Sequence, residues 1–332
     1  MDRPTIRDGD YGSLVRLVQE CLLCEVDGVF GSATEKDVKK FQDDHNLDND
    51  GIVGPATWAK LAEVYDLAPY PPPLLAPLQP TTLREIKAAV AESDVADLLW
   101  EGPEPRGQAP LAYIHGMALA YATVVRKFEN GDMTAHEIAK AETGDTEHDA
   151  LALYHEEFRK LGMLNYQAGR VTLRSVFVFL LGLGMQESSG KHCCGRDQSA
   201  SNVQSETCEA GLFQTSWNYH VCATDAEMLF DEYRRVLERR TRSEPQCQLA
   251  AFQKDVSCSS KDLENYGSGT GKQFQELSKI CPAFAVESAA VGIRNLRKHW
   301  GPIGRKEVQI KREAEALFIA IDDILVLGDT AT

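Results

Sequence analysis

A chain of 332 residues is long enough for two domains, one with a sizeable core, and its 43 % apolar and 26 % charged content is that of a soluble globular protein. The formal charge of −15 sits in the first half: residues 1–67 carry 14 acids against 7 bases and residues 68–160 carry 15 against 8, whereas residues 161–332 are nearly neutral. No basic stripe is present to hold nucleic acid, and the longest apolar run, Val176 to Met185, is too short to cross a bilayer, so neither nucleic acid nor membrane insertion is expected.

The amino terminus, MDRPTIRDGDYG, lacks the basic flank and apolar core of a secretory signal. A first helix follows in "SLVRLVQECLL", where Cys21 and Cys24 read as small packing residues. An internal repeat comes next: "VDGVFGSATEKDV" (26–38) is echoed by "NDGIVGPATWAKL" (49–61), which places Asp27 and Asp50 23 residues apart. Each copy reads as a tight turn feeding a helix. Gly28 and Gly51 supply the turn, and Gly31 and Gly54 let the chain enter the helix closely. Ser32 with Glu35 has the spacing of a capping box, and Pro55 suits a first helical position. The product is a small three-helix bundle in which Phe30, Phe41, Trp58 and Leu61 serve a core or a binding groove. "NLDNDG" (46–51) opens like a calcium loop, but Thr57 stands where a bidentate glutamate is needed, so no calcium is expected.

"APYPPPLLAPLQPTT" (68–82) is a semi-rigid proline spacer. Beyond it the pattern is mainly α, with helical periodicity over 83–99, 111–130, 148–162 and 308–327, and "EGPEPRGQAP" (101–110) is a loop. The expected organisation is therefore a bundle at 1–67, a linker at 68–82 and a larger α-helical domain at 83–332.

Within that larger domain, VFVFLLGLGM ends abruptly in Gln186 and Glu187. VFVF alone could be a buried strand, but the length of the run and its helical neighbours favour a buried helix that weakens at Gly182 and Gly184 and ends near Glu187. A carboxyl there has apolar neighbours that disfavour its charge, which is what a proton donor near neutral pH requires. Ser188 and Ser189 can fix the carboxyl or satisfy the helix end. "QESSG" lacks the first glycine of a nucleophile elbow, so no serine hydrolase is built from it. A second carboxylate is expected among Asp197, Glu206 and Glu209. Asp197, which follows Arg196, is placed slightly ahead of Glu209. Seven cysteines cluster after Glu187, at 193, 194, 208, 222, 247, 258 and 281, and point to disulfides with an odd thiol left over. Zinc competes for them through His192 and His220, but no paired C-x-x-C knuckles occur in that stretch, so no metal and no cofactor are expected.

The doubled D-G-x-x-G-x-x-T, after a helix with Leu17, Gln19 and Leu22, resembles the small three-helix peptidoglycan-binding domain attached to many cell-wall enzymes. "QESSG" (Glu187), "GLFQ" (211–214) and "NYGSG" (265–269) follow the motif order of goose-type lysozymes and soluble lytic transglycosylases, with Gly267 and Ser268 departing from the usual Tyr-Asn-Ala-Gly. The second half thus resembles the lysozyme-like superfamily. That resemblance implies Glu187 as catalytic acid, with Asp197 or Glu209 as its partner. It also implies that Ser188, Gly211, Leu212, Gln214 and Tyr266 bind substrate, while Asp27, Phe30, Asp50 and Trp58 would hold the wall. The implied function is that of a monomeric muramidase acting on peptidoglycan glycan strands in the periplasm or cell wall. It would arrive there by phage-type release, by a secretion system or as a mature chain. Lytic transglycosylase, chitinase-like and purely wall-binding roles are the alternatives.

Overall fold

The computed structural model describes residues 3–68, 70, 75–101, 105–196, 204–222, 224–239 and 245–329. Over these residues the chain is mainly helical, and its one sheet is a two-stranded hairpin, Leu99–Trp100 against Gly107–Gln108. The proline-rich loop expected at 101–110 thus holds the second hairpin strand.

The larger body is built around helix Leu111–Glu129, which is buried over most of its surface, through Tyr113, Ile114, Met117, Ala118, Tyr121 and Val125. Its sequence is apolar almost all round, with His115, Thr123 and Arg126 left on a narrow, partly exposed edge. Helices Arg170–Ser188, Pro282–Asn295 and Arg312–Asp329 enclose it. VFVF is therefore helical, and the helix does not weaken at its glycines. Gly182 and Gly184 instead permit close approach: a Cβ at 184 would overlap the Tyr113 hydroxyl, and one at 182 the Gln309 carbonyl. Tyr113 then donates its buried hydroxyl to the Leu180 carbonyl at 3.0 Å.

Two periodic stretches end differently from the expectation. The helix expected over 83–99 spans Pro80–Glu92 and is closed by Ser93, whose hydroxyl donates to the Val90 carbonyl. The stretch 148–162 divides into Ala150–Leu153 and His155–Lys160, because Tyr154 leaves helical geometry and buries its ring against Phe179.

Two buried charge clusters in this body are internally paired. Arg294 makes a two-point contact with Asp149 at 3.0 Å and donates to the carbonyls of Ile138, Lys140 and Ala141. Lys127 lies between Glu232 and Glu287, and Tyr233 donates to Glu287. Removing one member of either group would strand a charge away from water. Disulfides join Cys193 to Cys258 and Cys247 to Cys281, so four of the seven clustered cysteines are oxidised.

The amino-terminal bundle comprises helices Ser13–Leu22, Ser32–Asp44 and Pro55–Tyr65. Its core of Ile6, Leu14, Val18, Phe30, Val38, Phe41, Val53, Trp58 and Leu61 is a separate apolar cluster. The capping box at Ser32 is not formed: Gly31 occupies the N-cap, Ser32 lies inside the helix, and no side chain caps it. Gly31 and Gly54 are extended N-caps with open space where a Cβ would stand, so they permit no close approach. Pro55 does take the first turn of its helix.

This bundle is docked on the larger body. Asp225 accepts from the Ser13 backbone N–H at 2.9 Å and from the Ser13 hydroxyl at 2.5 Å. The Thr224 N–H donates to the Tyr11 carbonyl, and Met228 joins the bundle's apolar cluster. Gly12, at φ 121, lies so close to Asp225 and Thr224 that a Cβ would collide with both side chains. Arg16 adds an ion pair to the buried Glu137 at 3.5 Å.

Candidate active site

Glu187 lies in the last turn of Arg170–Ser188, partly buried, where the apolar helix leaves the core. The helix stops one residue later because Ser189 turns left-handed, at φ 52, while its N–H still bonds the Met185 carbonyl. Ser188 donates its hydroxyl back to the Gly184 carbonyl, so the two serines satisfy the helix end and leave the carboxyl of Glu187 uncommitted to either. Burial pushes the Glu187 carboxyl up to about 8. The Glu209 carboxylate and, more weakly, Glu307 add to that rise, while Arg106 and Arg305 oppose it.

These neighbours come from three separate parts of the chain. Glu209 precedes a tight turn, closed by the Ala210 N–H to the Thr215 carbonyl at 2.9 Å. Arg106 is carried by the hairpin, its N–H bonded to the Trp100 carbonyl. Arg305 is paired with Glu307 through two bonds of 2.7 and 2.8 Å. Glu187 is thus a protonated acid at neutral pH, with a second carboxylate and two guanidinium groups in its field. That arrangement can deliver a proton to a substrate oxygen and stabilise the charge that results.

The other expected site residues divide. Asp197 lies outside the described residues. Glu206 is exposed in the short turn Ser205–Thr207. Gly211, at φ 78, packs against the Ser278 carbonyl and donates its N–H to the Cys194 carbonyl at 2.9 Å, which ties this turn to the loop that follows Glu187. Leu212 is wholly buried, and Gln214 uses its side-chain amide to close its own turn on the Gly211 carbonyl. Leu212 is therefore a core residue, and Gly211 and Gln214 shape the turn that carries Glu209. Tyr266 is held through its main chain by Gln275, and its ring lies beneath the Arg196 guanidinium at 4.9 Å. Arg106, Arg305 and Glu307 were not singled out in the sequence. No local pattern marks them, since the hairpin and the turn after Gly301–Gly304 bring them in from a distance.

The amino-terminal repeat has its own geometry. In the first copy Gln19 accepts from the Gly28 N–H and donates to Asp27, the Val29 carbonyl and Thr34. In the second copy Gln42 accepts from Gly51 and donates to Asp50, the Ile52 carbonyl and Thr57. A buried glutamine at the hub of each turn explains why Asp, Gly and Thr recur together at this spacing. Residues 11–61 match the family described as "Putative peptidoglycan binding domain". A curated relative, "Uncharacterized protein in bpoA1 3'region" of Kitasatospora aureofaciens, is 44 % identical over 66 residues. That match takes in 18 % of this chain and spans about half the relative's length, 55 %. Among solved structures, "Crystal structure of Burkholderia AP3 phage endolysin" is matched over 98 % of this chain and all of that one, at 15 % identity. Its TM-score is 0.18, too low to carry an argument about fold.

Inside the matched unit, the side chains of the four residues expected to hold the wall already have partners within the bundle. Phe30 and Trp58 are core residues, and the Trp58 indole donates to the Pro4 carbonyl at 2.8 Å. Asp27 and Asp50 are exposed, but their carboxylates accept from the Val29 and Ile52 N–H groups as well as from the two glutamines. The backbone N–H in each turn, and after it the glutamine amide, hold both carboxyls below the usual carboxylate range.

Proposed function

We propose that the chain is a peptidoglycan muramidase. It would cleave the β-1,4 bond between N-acetylmuramic acid and N-acetylglucosamine, with the amino-terminal unit holding it on the wall. The observation that carries this reading is the Glu187 carboxyl, kept protonated to about 8 at the end of an apolar helix with Glu209 in its field. In this reading Glu187 protonates the glycosidic oxygen, and an ionised carboxylate stabilises the sugar cation or activates water. Glu209, whose charge raises the Glu187 carboxyl, is the first choice for that second role, and Asp197, beside Arg196, is the other. Peptidoglycan is supported as partner by the family match at residues 11–61. The site of action is then the cell wall or periplasm, and no helix among the described residues is long and apolar enough to cross a membrane.

Glu187→Gln removes one proton and little volume. Lysis of purified walls should fall by about 100-fold or more, while sedimentation with those walls is unchanged. Activity retained within a few-fold would remove Glu187 from the mechanism.

One feature favours a second reading. A single carboxyl poised near neutral pH can serve as acid and then as base, so the sugar's own 6-hydroxyl could attack without water. Mass spectrometry of digested sacculi separates the two. Reducing muramic ends are expected, and ends lighter by one water would make the enzyme a lytic transglycosylase.

A further inference from the structure

The loop that follows Glu187 is anchored by the Cys193–Cys258 disulfide, which closes 65 residues of chain. His192, buried beside it, completes a cluster whose three ligand-type atoms lie within 4.8 Å of one another. Its Nδ1 is 3.0 Å from the Lys279 carbonyl, an oxygen that can only accept, so Nδ1 carries the proton. That leaves the lone pair on Nε2, which faces Cys258 Sγ at 3.7 Å. Zinc bonds of about 2.3 Å to sulfur and about 2.1 Å to imidazole nitrogen, at a tetrahedral angle, separate the two ligand atoms by roughly that distance. A carbonyl that fixes the ring and its tautomer is also the usual support for a metal-binding histidine.

We propose that the reduced chain binds one zinc ion through His192 Nε2, Cys193 Sγ and Cys258 Sγ, so that a metal replaces the disulfide as the clamp on the Glu187 loop. The chemistry balances with a dithiol as reductant. Two electrons and two protons pass to the sulfur–sulfur bond, giving two thiols, and the dithiol becomes a disulfide. Zinc then displaces both thiol protons and takes up two thiolates, whose charges cancel its own. Cys258 is only partly buried, which leaves that side of the cluster open for a water as fourth ligand. Oxidised protein offers a lone imidazole and no thiolate here, so it binds no zinc at this site. The loop is then held both in a reducing compartment and in an oxidising one.

The test uses the full chain, purified oxidised, with half the sample reduced and then freed of reductant without air. Zinc uptake is read by competition with a chromophoric chelator, and Co²⁺ in place of Zn²⁺ reports thiolate ligation through its sulfur-to-metal absorption band. The reduced chain should bind zinc with a two-thiolate cobalt band, and the oxidised chain should not. His192→Ala forms the same disulfide, so its fold can be verified before reduction. In it and in Cys258→Ser, zinc affinity should fall by about 100-fold, a ligand loss costing at least what a lost supporting contact does. Cys21→Ser/Cys24→Ser, which removes the two cysteines of the amino-terminal bundle, should bind as the parent does. Equal zinc uptake by the parent and His192→Ala, or none by the reduced parent, would overturn the proposal.

Discussion

At the scale of single residues, Glu187 illustrates how position sets chemistry. Its carboxyl rises from 4.5 to about 8 because the helix delivers it to the edge of an apolar core beside Glu209. The folded chain therefore keeps this proton over a range in which the unfolded chain has lost it, and stability falls as pH climbs from about 4.5 to about 8. Glu187→Gln lifts that penalty. Near pH 4 the variant and the parent should unfold at similar denaturant concentrations. By pH 8.5 the variant should be the more stable, by on the order of 2 kcal/mol once solvent access to the carboxyl is discounted. A difference that stays flat with pH would contradict the raised value. Under the proposed function, kcat of the parent should also decline above about pH 8 as the acid loses its proton. The place of Glu187 was legible because an apolar run ends in it. The company of Arg106 and Arg305 was not, since only the folded hairpin and the turn near residue 305 bring those charges close.

At the scale of elements, the paired turns of the amino-terminal bundle are held by side chains rather than by capping. Gln19 makes four hydrogen bonds across its turn, and Gln42 makes the same four in the second copy. Gln19→Ala leaves the buried Gly28 N–H without its acceptor and the Thr34 hydroxyl without its donor, and should cost about 2–4 kcal/mol of bundle stability. Gln19→Glu should be worse at pH 7, because a carboxylate replaces a donor that faces Asp27. Chemical denaturation of the three proteins checks the order, and a Glu variant as stable as the parent would show that the hub is dispensable. The spacing of Asp27 and Asp50 betrayed the repeat, and Gln19 and Gln42 share that spacing of 23 residues. Their role was hidden because a buried glutamine in a helix looks like any polar position until its turn is seen. Ser32 misled for the opposite reason: its spacing to Glu35 fits a capping box, but Gly31 takes the cap position. Periodicity likewise ran past Glu92 because it registers apolar positions and not the Ser93 hydroxyl that closes the helix.

At the scale of the whole molecule, the two apolar clusters are distinct, but the surfaces between them are in contact. Burial, with Glu137 reinforcing it, pushes Asp225 above the usual carboxylate range, although both Ser13 bonds pull the other way. The docked form thus retains a proton that a separated form would release, and docking should loosen as pH rises through that raised range. Gly12→Ala, which forces a methyl into Asp225 and Thr224, should undock the bundle at any pH. Small-angle scattering would register either change as a larger radius of gyration, and an unchanged radius in Gly12→Ala would argue that the contact is not what holds the units together. Residues 81–332 alone should fold on their own core and, under the proposed function, still cut soluble glycan fragments, with a Tm below that of the full chain because Met228 and Asp225 lose their cover. The proline-rich spacer is the sequence feature behind the expected division into two units. It said nothing of their docking, which depends on Ser13 and Asp225 meeting across a separation of 212 residues, with Gly12 leaving them room.

The carboxy-terminal end of the spacer packs on the larger body, with Arg126 donating to the Ala76 carbonyl at 2.8 Å and Leu78 packed on the main core. Under the proposed function, this changes what the amino-terminal unit can do. A wall-binding module on a free tether sweeps a sphere, and every glycan bond within that radius comes in range. A module locked to its partner works as a ruler. It sets one distance and one angle between the anchoring point and Glu187, so the bonds cut on an intact sacculus should recur at a fixed interval from each anchoring site. When the Asp225 contact opens, the ruler becomes a leash, and the same two units would cut without regular spacing.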